Sequence, residues 1–65
     1  MDHSITVEGM HCAGCEQTVE DALLEVAGVT DAAADREAER ASVAGSADVQ
    51  ALVAAVEQAG YDARA

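Results

Sequence analysis

Between His3 and Glu8 apolar and polar residues alternate, with Ile5 and Val7 on one side and Ser4, Thr6 and Glu8 on the other. A period of two over β-favouring residues predicts a half-buried strand, which Gly9 ends. From about Ala13 the period changes. Cys15, Val19, Ala22, Leu23 and Val26 recur at i, i+4, i+7, i+8 and i+11, which is one face of a helix. Glu16, Glu20, Asp21 and Glu25 take the opposite side and read as a solvated face, and Gly28 is a C-terminal stop. Val29 to Asp35 reads as a strand with Ala32 and Ala34 inward, without help from propensity, since alanine is a poor strand residue. Arg36 to Glu39 is polar and turns. Arg40 to Ala44 alternates again, with Ala41 and Val43 inward; Gly45 and Ser46 break the strand, and Ser46 is placed to cap a second helix. That helix carries Val49, Leu52, Val53 and Val56 at i, i+3, i+4 and i+7, Gly60 stops it, and Tyr61 to Ala63 form a short closing strand.

The order is strand, helix, strand, strand, helix, strand. Each helix ends in alanine, glycine and an apolar residue: Ala27-Gly28-Val29 and Ala59-Gly60-Tyr61. Two βαβ halves joined in this way predict an α+β, ferredoxin-like βαββαβ open-faced sandwich, with a four-stranded antiparallel sheet and both helices on one face. No linker or low-complexity run interrupts the chain, so residues 1–65 are expected to form one domain.

Size and composition make that fold marginal. A chain of this length buries only about 60% of its unfolded surface. Its apolar residues are largely alanine, with one tyrosine and no tryptophan or phenylalanine, so each buried side chain adds little area. Thirteen acids oppose three arginines, lysine is absent, and the net charge is -10. Such a chain repels itself at ordinary ionic strength, whereas at 1 M salt the Debye length falls to about 3 Å. An acidic, lysine-free, alanine-rich composition therefore fits a halophilic cytoplasm.

The same charge excludes nucleic acid as a partner, because no basic stripe is available for phosphates and no aromatic series for stacking. The apolar runs are too short to span a bilayer, and no signal segment opens the chain, so a cytoplasmic location is expected. Thiols there stay reduced, which bears directly on residues 9 to 15, GMHCAGC. Cys12 falls in the loop after the first strand and Cys15 in the first turn of the first helix. Unpaired N–H groups and a partial positive charge at the helix N-terminus lower thiol pKa values from about 8.5 toward roughly 3.5–7.5.

Four uses of the pair can be weighed. A disulfide over so short a loop constrains the unfolded chain little. A structural zinc site wants four ligands; His11 abuts Cys12, and His3 lies at the far end of the first strand, roughly a dozen ångströms or more away. An iron–sulfur cluster normally takes four cysteines. Two thiolates suffice for a soft ion content with linear coordination, which favours Cu(I) by elimination. A thiol redox module remains the competitor, although the chain is short for a thioredoxin-like fold and lacks the accompanying tryptophan and proline.

GMHCAGC matches the G-M-x-C-x-x-C motif of the heavy-metal-associated domain, and the closing AGYDA is similar to that of bacterial-type copper chaperones. The resemblance spans essentially the whole chain. It implies that Cys12 and Cys15 are Cu(I) ligands, that Met10 packs under the loop, and that Tyr61 lies near the site from the loop after the second helix. It also implies a metal carrier and no enzyme, one that passes copper to the metal-binding domain of a copper-transporting ATPase or to a copper-responsive regulator. Such a carrier is a monomer when metal-free, with copper able to bridge two copies. Zinc-exporting members often carry an acid before the first cysteine; His11 stands there, which favours copper, while mercury and zinc remain alternatives. His11 otherwise reads as a solvent-facing loop residue and His3 as an incidental strand-end residue. The alternative context is an excised N-terminal domain of a copper-transporting P-type ATPase, against which Met1, so close to the first strand, favours a free-standing protein. The chain departs from the family in lacking lysine and in placing alanine where larger strand residues are usual. Thermal midpoints are therefore expected to rise steeply from low to molar KCl, and a flat series would refute the reading of charge as the limit on stability.

Overall fold

The structure, a computed structural model, describes residues 3–65. Six elements follow one another: β1 (His3–Glu8), α1 (Ala13–Leu24), β2 (Val29–Asp35), β3 (Arg40–Gly45), α2 (Val49–Gln58) and β4 (Asp62–Arg64). The strands form one sheet in the order β2-β3-β1-β4, with every neighbouring pair antiparallel. This is the ferredoxin-like arrangement that the alternating periods predict. Neither helix is long and apolar enough to cross a membrane.

The core lies between the sheet and the helices. Ile5 and Val7 of β1, Ala41 and Val43 of β3, Val19 and Leu23 of α1, and Leu52 and Val56 of α2 meet there, all essentially removed from solvent. Those are the positions that the two-residue and 3.6-residue periods mark as inward. Fully burying a valine or leucine contributes about 1.5–3 kcal/mol relative to exposure, so these few branched residues supply most of the apolar drive that alanine cannot. Ala32 and Ala34 are only half-buried, because β2 is the outer strand of the sheet.

Four local features differ from the sequence reading, each for a visible reason. Helix α1 ends at Leu24, and Val26 follows in the turn, where it still packs on the core and its N–H reaches the Leu23 carbonyl at 3.1 Å. Ser46 does not cap α2. Its N–H is bound to the Gly28 carbonyl at 3.1 Å, and the cap is Asp48, whose Oδ1 accepts from Gln50 N at 2.9 Å. Strand β4 begins one residue late, at Asp62, since the Tyr61 N–H is held by the Val56 carbonyl at the helix end. The acids of α1 are not uniformly solvated. Asp21 and Glu25 are exposed, but Glu16 and Glu20 are half-buried and reach sideways to the backbone of β2 and the turn after it.

Gly28, just before β2, and Gly45, the last residue of β3, meet at one end of the sheet. Gly45 has φ +122°, and a Cβ there would stand 2.0 Å from the Gly28 carbonyl oxygen. Any side chain must therefore push apart two backbone segments while holding a left-handed conformation. Gly45→Ala is expected to cost about 3 kcal/mol, a large share of a marginal domain's stability. Chemical denaturation would read this as a lowered midpoint at unchanged slope, and a loss within about 0.5 kcal/mol, the range of a neutral surface change, would contradict the close approach.

Candidate metal centre

The loop after β1 is pinned from below and open above. Met10 is 8% exposed and belongs to the core cluster, whereas His11 and Cys12 on either side of the turn face solvent. One buried anchor thus fixes a short loop whose other side chains stay accessible. Cys12 is the N-cap residue of α1, with extended φ −156° and ψ 173°. Its carbonyl accepts from Cys15 N at 3.0 Å and Glu16 N at 3.3 Å, so its backbone starts the helix while its side chain makes no cap hydrogen bond. The sulfur instead shares a hydrogen bond with that of Cys15 at 3.7 Å, and neither cysteine is in a disulfide.

Cys15 is half-buried on the first turn of α1, packed against the core. Tyr61 approaches it from the loop between α2 and β4. Its ring lies against Gly9, where an added Cβ would meet Tyr61 Cδ1 at 3.7 Å, and its hydroxyl is hydrogen-bonded to the Cys15 sulfur. That bond is the main reason the Cys15 thiol falls from 9.0 to about 7, with further help from a backbone hydrogen bond at His11 and from the neighbouring Cys12. The Tyr61 hydroxyl moves the other way and is raised, first by the same hydrogen bond to Cys15 and then by burial.

The structure brings together Cys12, Cys15 and Tyr61, over a floor made by Met10. It does not bring in the histidines. His3 pairs with Val43 at the opposite end of β1, and among the described residues no group of three or more histidine, cysteine or acidic side chains converges on a common point. Zinc's usual tetrahedron of protein ligands is therefore not assembled here. Two soft sulfurs, one of them readily ionised near neutral pH, can hold a soft cation and leave one side of it open.

The tyrosine's bond to sulfur was outside the reach of periodicity, which places Tyr61 only as an apolar residue after a helix stop. Thr18 was missed altogether. Its hydroxyl donates to the Gly14 carbonyl at 2.9 Å and lies beside the Tyr61 hydroxyl, one turn beyond Cys15. A threonine on the exposed side of a helix gives no sequence signal of its own.

Removing the Tyr61 hydroxyl tests this assignment. In Tyr61→Phe the Cys15 thiol is expected to titrate well above 7, so its alkylation at neutral pH slows, and an unchanged pH–rate profile would contradict the assignment. Cys15 adds stability to the metal-free fold that is fully present above its unfolded value of 9.0 and is lost as pH falls through about 7.

Comparison with known proteins places this arrangement. Residues 4–62 match the model of the heavy-metal-associated domain. Copper-transporting ATPase 2 of Rhizobium meliloti (strain 1021) is 49% identical over 63 residues, covering 92% of this chain and 8% of that protein. The chain spans less than a tenth of the length of the curated relatives it matches. Among solved structures, the CopZ metallochaperone superposes with a TM-score of 0.90 at 35% identity, covering 95% of this chain and 97% of that one. The N-terminal domain of PacS from Synechocystis PCC6803 does so with a TM-score of 0.86 at 39% identity, covering 94% and 90%. The chain belongs to the heavy-metal-associated domain family.

Proposed function

We propose that this chain is a Cu(I) carrier of the cytoplasm, formed as one domain over residues 1–65, which holds the ion between Cys12 and Cys15 and releases it by thiolate exchange. The observation that carries this reading is the pair of free sulfurs 3.7 Å apart on a loop that leaves Cys12 exposed. Similarity to the CopZ metallochaperone along nearly the full length of both chains supports it.

Holding the ion requires the sulfurs to move apart. With metal–thiolate bonds of about 2.3 Å, sulfurs 3.7 Å apart subtend an angle of roughly 107° at the metal. A linear two-sulfur site needs about 4.6 Å between sulfurs, and a flat three-sulfur site about 4.0 Å, on the same bond length. The sulfurs of the metal-free loop therefore move apart by roughly 0.3 Å to share the ion with a third sulfur and by roughly 0.9 Å to hold it linearly as a pair. Because Cys12 is exposed and its side chain touches only the other sulfur, that side chain makes the adjustment. When a partner's thiolate adds to copper, three sulfurs share the ion, and one of the original two then leaves and takes up a proton. Cys12 is the natural leaving sulfur, since Cys15 is held by Tyr61 and by packing. No bond in a substrate is made or broken, so the role is carriage and not catalysis.

The receiving partner is the metal-binding domain of a copper-transporting ATPase or a copper-responsive regulator bearing a similar thiol pair. In high salt its docking depends on shape and apolar contact near the loop more than on long-range charge. The metal-free chain is a monomer, and copper shared between exposed Cys12 sulfurs bridges two copies.

A second reading keeps the chemistry and changes the context: the chain acts as an N-terminal metal-binding domain within a copper-transporting ATPase. The 49% identity to the Rhizobium meliloti ATPase favours it. Immunodetection of the native polypeptide separates the two, as a band near 6.6 kDa marks a carrier and a far larger one an ATPase.

Titration of reduced protein with Cu(I) against a competing chelator is expected to show tight one-to-one binding. Cys12→Ser or Cys15→Ser should each abolish it, whereas unaltered binding in both variants would overturn the assignment of the site.

A further inference from the structure

The sheet has two edges of unequal exposure. β4 closes one side with three residues, and β2 closes the other with seven. A long outer strand offers outward N–H and C=O groups to any incoming strand. Along β2 and at the residue that follows it, outward donors are already engaged. Ala32 N donates to Asp31 Oδ1 at 2.9 Å, Ala34 N to Glu20 Oε2 at 2.9 Å, and Arg36 N to Glu16 Oε2 at 2.7 Å. Their spacing of two residues is that of one side of a strand. Three successive donors therefore each carry a carboxylate, two of them supplied by α1. The Glu16 carboxylate also pairs with the Arg36 guanidinium at 3.5 Å, which fastens the end of the strand. Hydrogen bonds to carboxylates are roughly twice as strong as neutral ones, so an incoming carbonyl competes poorly for these donors.

We infer that Asp31, Glu20 and Glu16 mask a strand-pairing edge, and that the surface they mask fits β2 of a second copy of this chain. The centre of β2 is Ala32-Ala33-Ala34, whose small side chains permit close approach. An antiparallel pairing about a two-fold axis at Ala33 sets Ala32 opposite Ala34 of the second copy. The donors that pairing needs are the two held by Asp31 and Glu20. The same register sets Asp31 against Asp35 of the second copy, and like charges directly opposite each other destabilise a strand pair. Mask and repulsion thus act together at one edge, and they keep self-pairing separate from any association through metal.

The test uses metal-free, reduced protein in molar KCl, where copper cannot bridge copies and net charge is screened. Glu20→Ala combined with Asp31→Ala is expected to self-associate, its sedimenting mass rising toward twice that of the monomer with concentration. Its Ala32 and Ala34 amides should exchange quickly when dilute and slowly when concentrated. Wild type and Glu20→Gln, which keeps an acceptor at the same place, should stay monomeric at every concentration. A double variant that retains native circular dichroism yet remains monomeric throughout would overturn the inference. Should the double variant unfold, wild type decides. Slow, concentration-independent exchange at Ala34 supports the mask, and exchange as fast as that of an unbonded surface amide overturns it.

Discussion

The packing of α1 across the sheet through Val19 and Leu23, both fully buried, is the constraint on which the other features depend. It fixes the helix N-terminus beside the end of β1, so the loop between them can place one sulfur on each side of the helix start. It also turns Glu16 and Glu20 toward the outer strand, where their carboxylates meet β2 and the residue that follows it. One helix thereby serves three surfaces: a core face, a thiol-bearing end and an acidic flank. A shift of α1 along the sheet would disturb all three together.

Alanine-rich composition sharpens this dependence. With few large side chains inside, the fold leans on close backbone contact, as at Gly28 and Gly45, and on polar ties such as the Asp48 cap and the Arg64–Glu8 ion pair. The acids are not spread as a uniform solvating layer. Several are spent on specific backbone donors, while others, such as Asp21 and Glu25, face water. Part of the negative charge thus ties down N–H groups that would otherwise be open.

Much of the fold was legible because the branched residues sit at clean intervals. Ile5 and Val7, Ala41 and Val43, and the two helical series each name their buried face directly. The loop of Met10, Cys12 and Cys15 was equally legible, since glycine, a change of period and paired cysteines coincide there. What could not be read involves contacts between distant segments. Ser46 and Asp48 are both good caps, and only the approach of Gly28 to Ser46 decides for the second. Glu16 and Glu20 lie on the polar side of a helix whether or not a strand edge runs past them. Tyr61 comes within reach of Cys15 only because β4 pairs beside β1, which no local pattern states.

The centre that results is a low and open one, with a buried methionine beneath, a tyrosine at one side and, among the described residues, nothing covering the exposed Cys12 sulfur. Four-ligand cages trap a metal; two sulfurs on a pinned loop can bind it tightly and still give it up. X-ray absorption of the anaerobically loaded, monomeric protein tests that claim most directly. Copper is expected in the Cu(I) state with a first shell of two sulfurs and no nitrogen, whereas a four-coordinate shell including histidine nitrogen would contradict an open two-sulfur site.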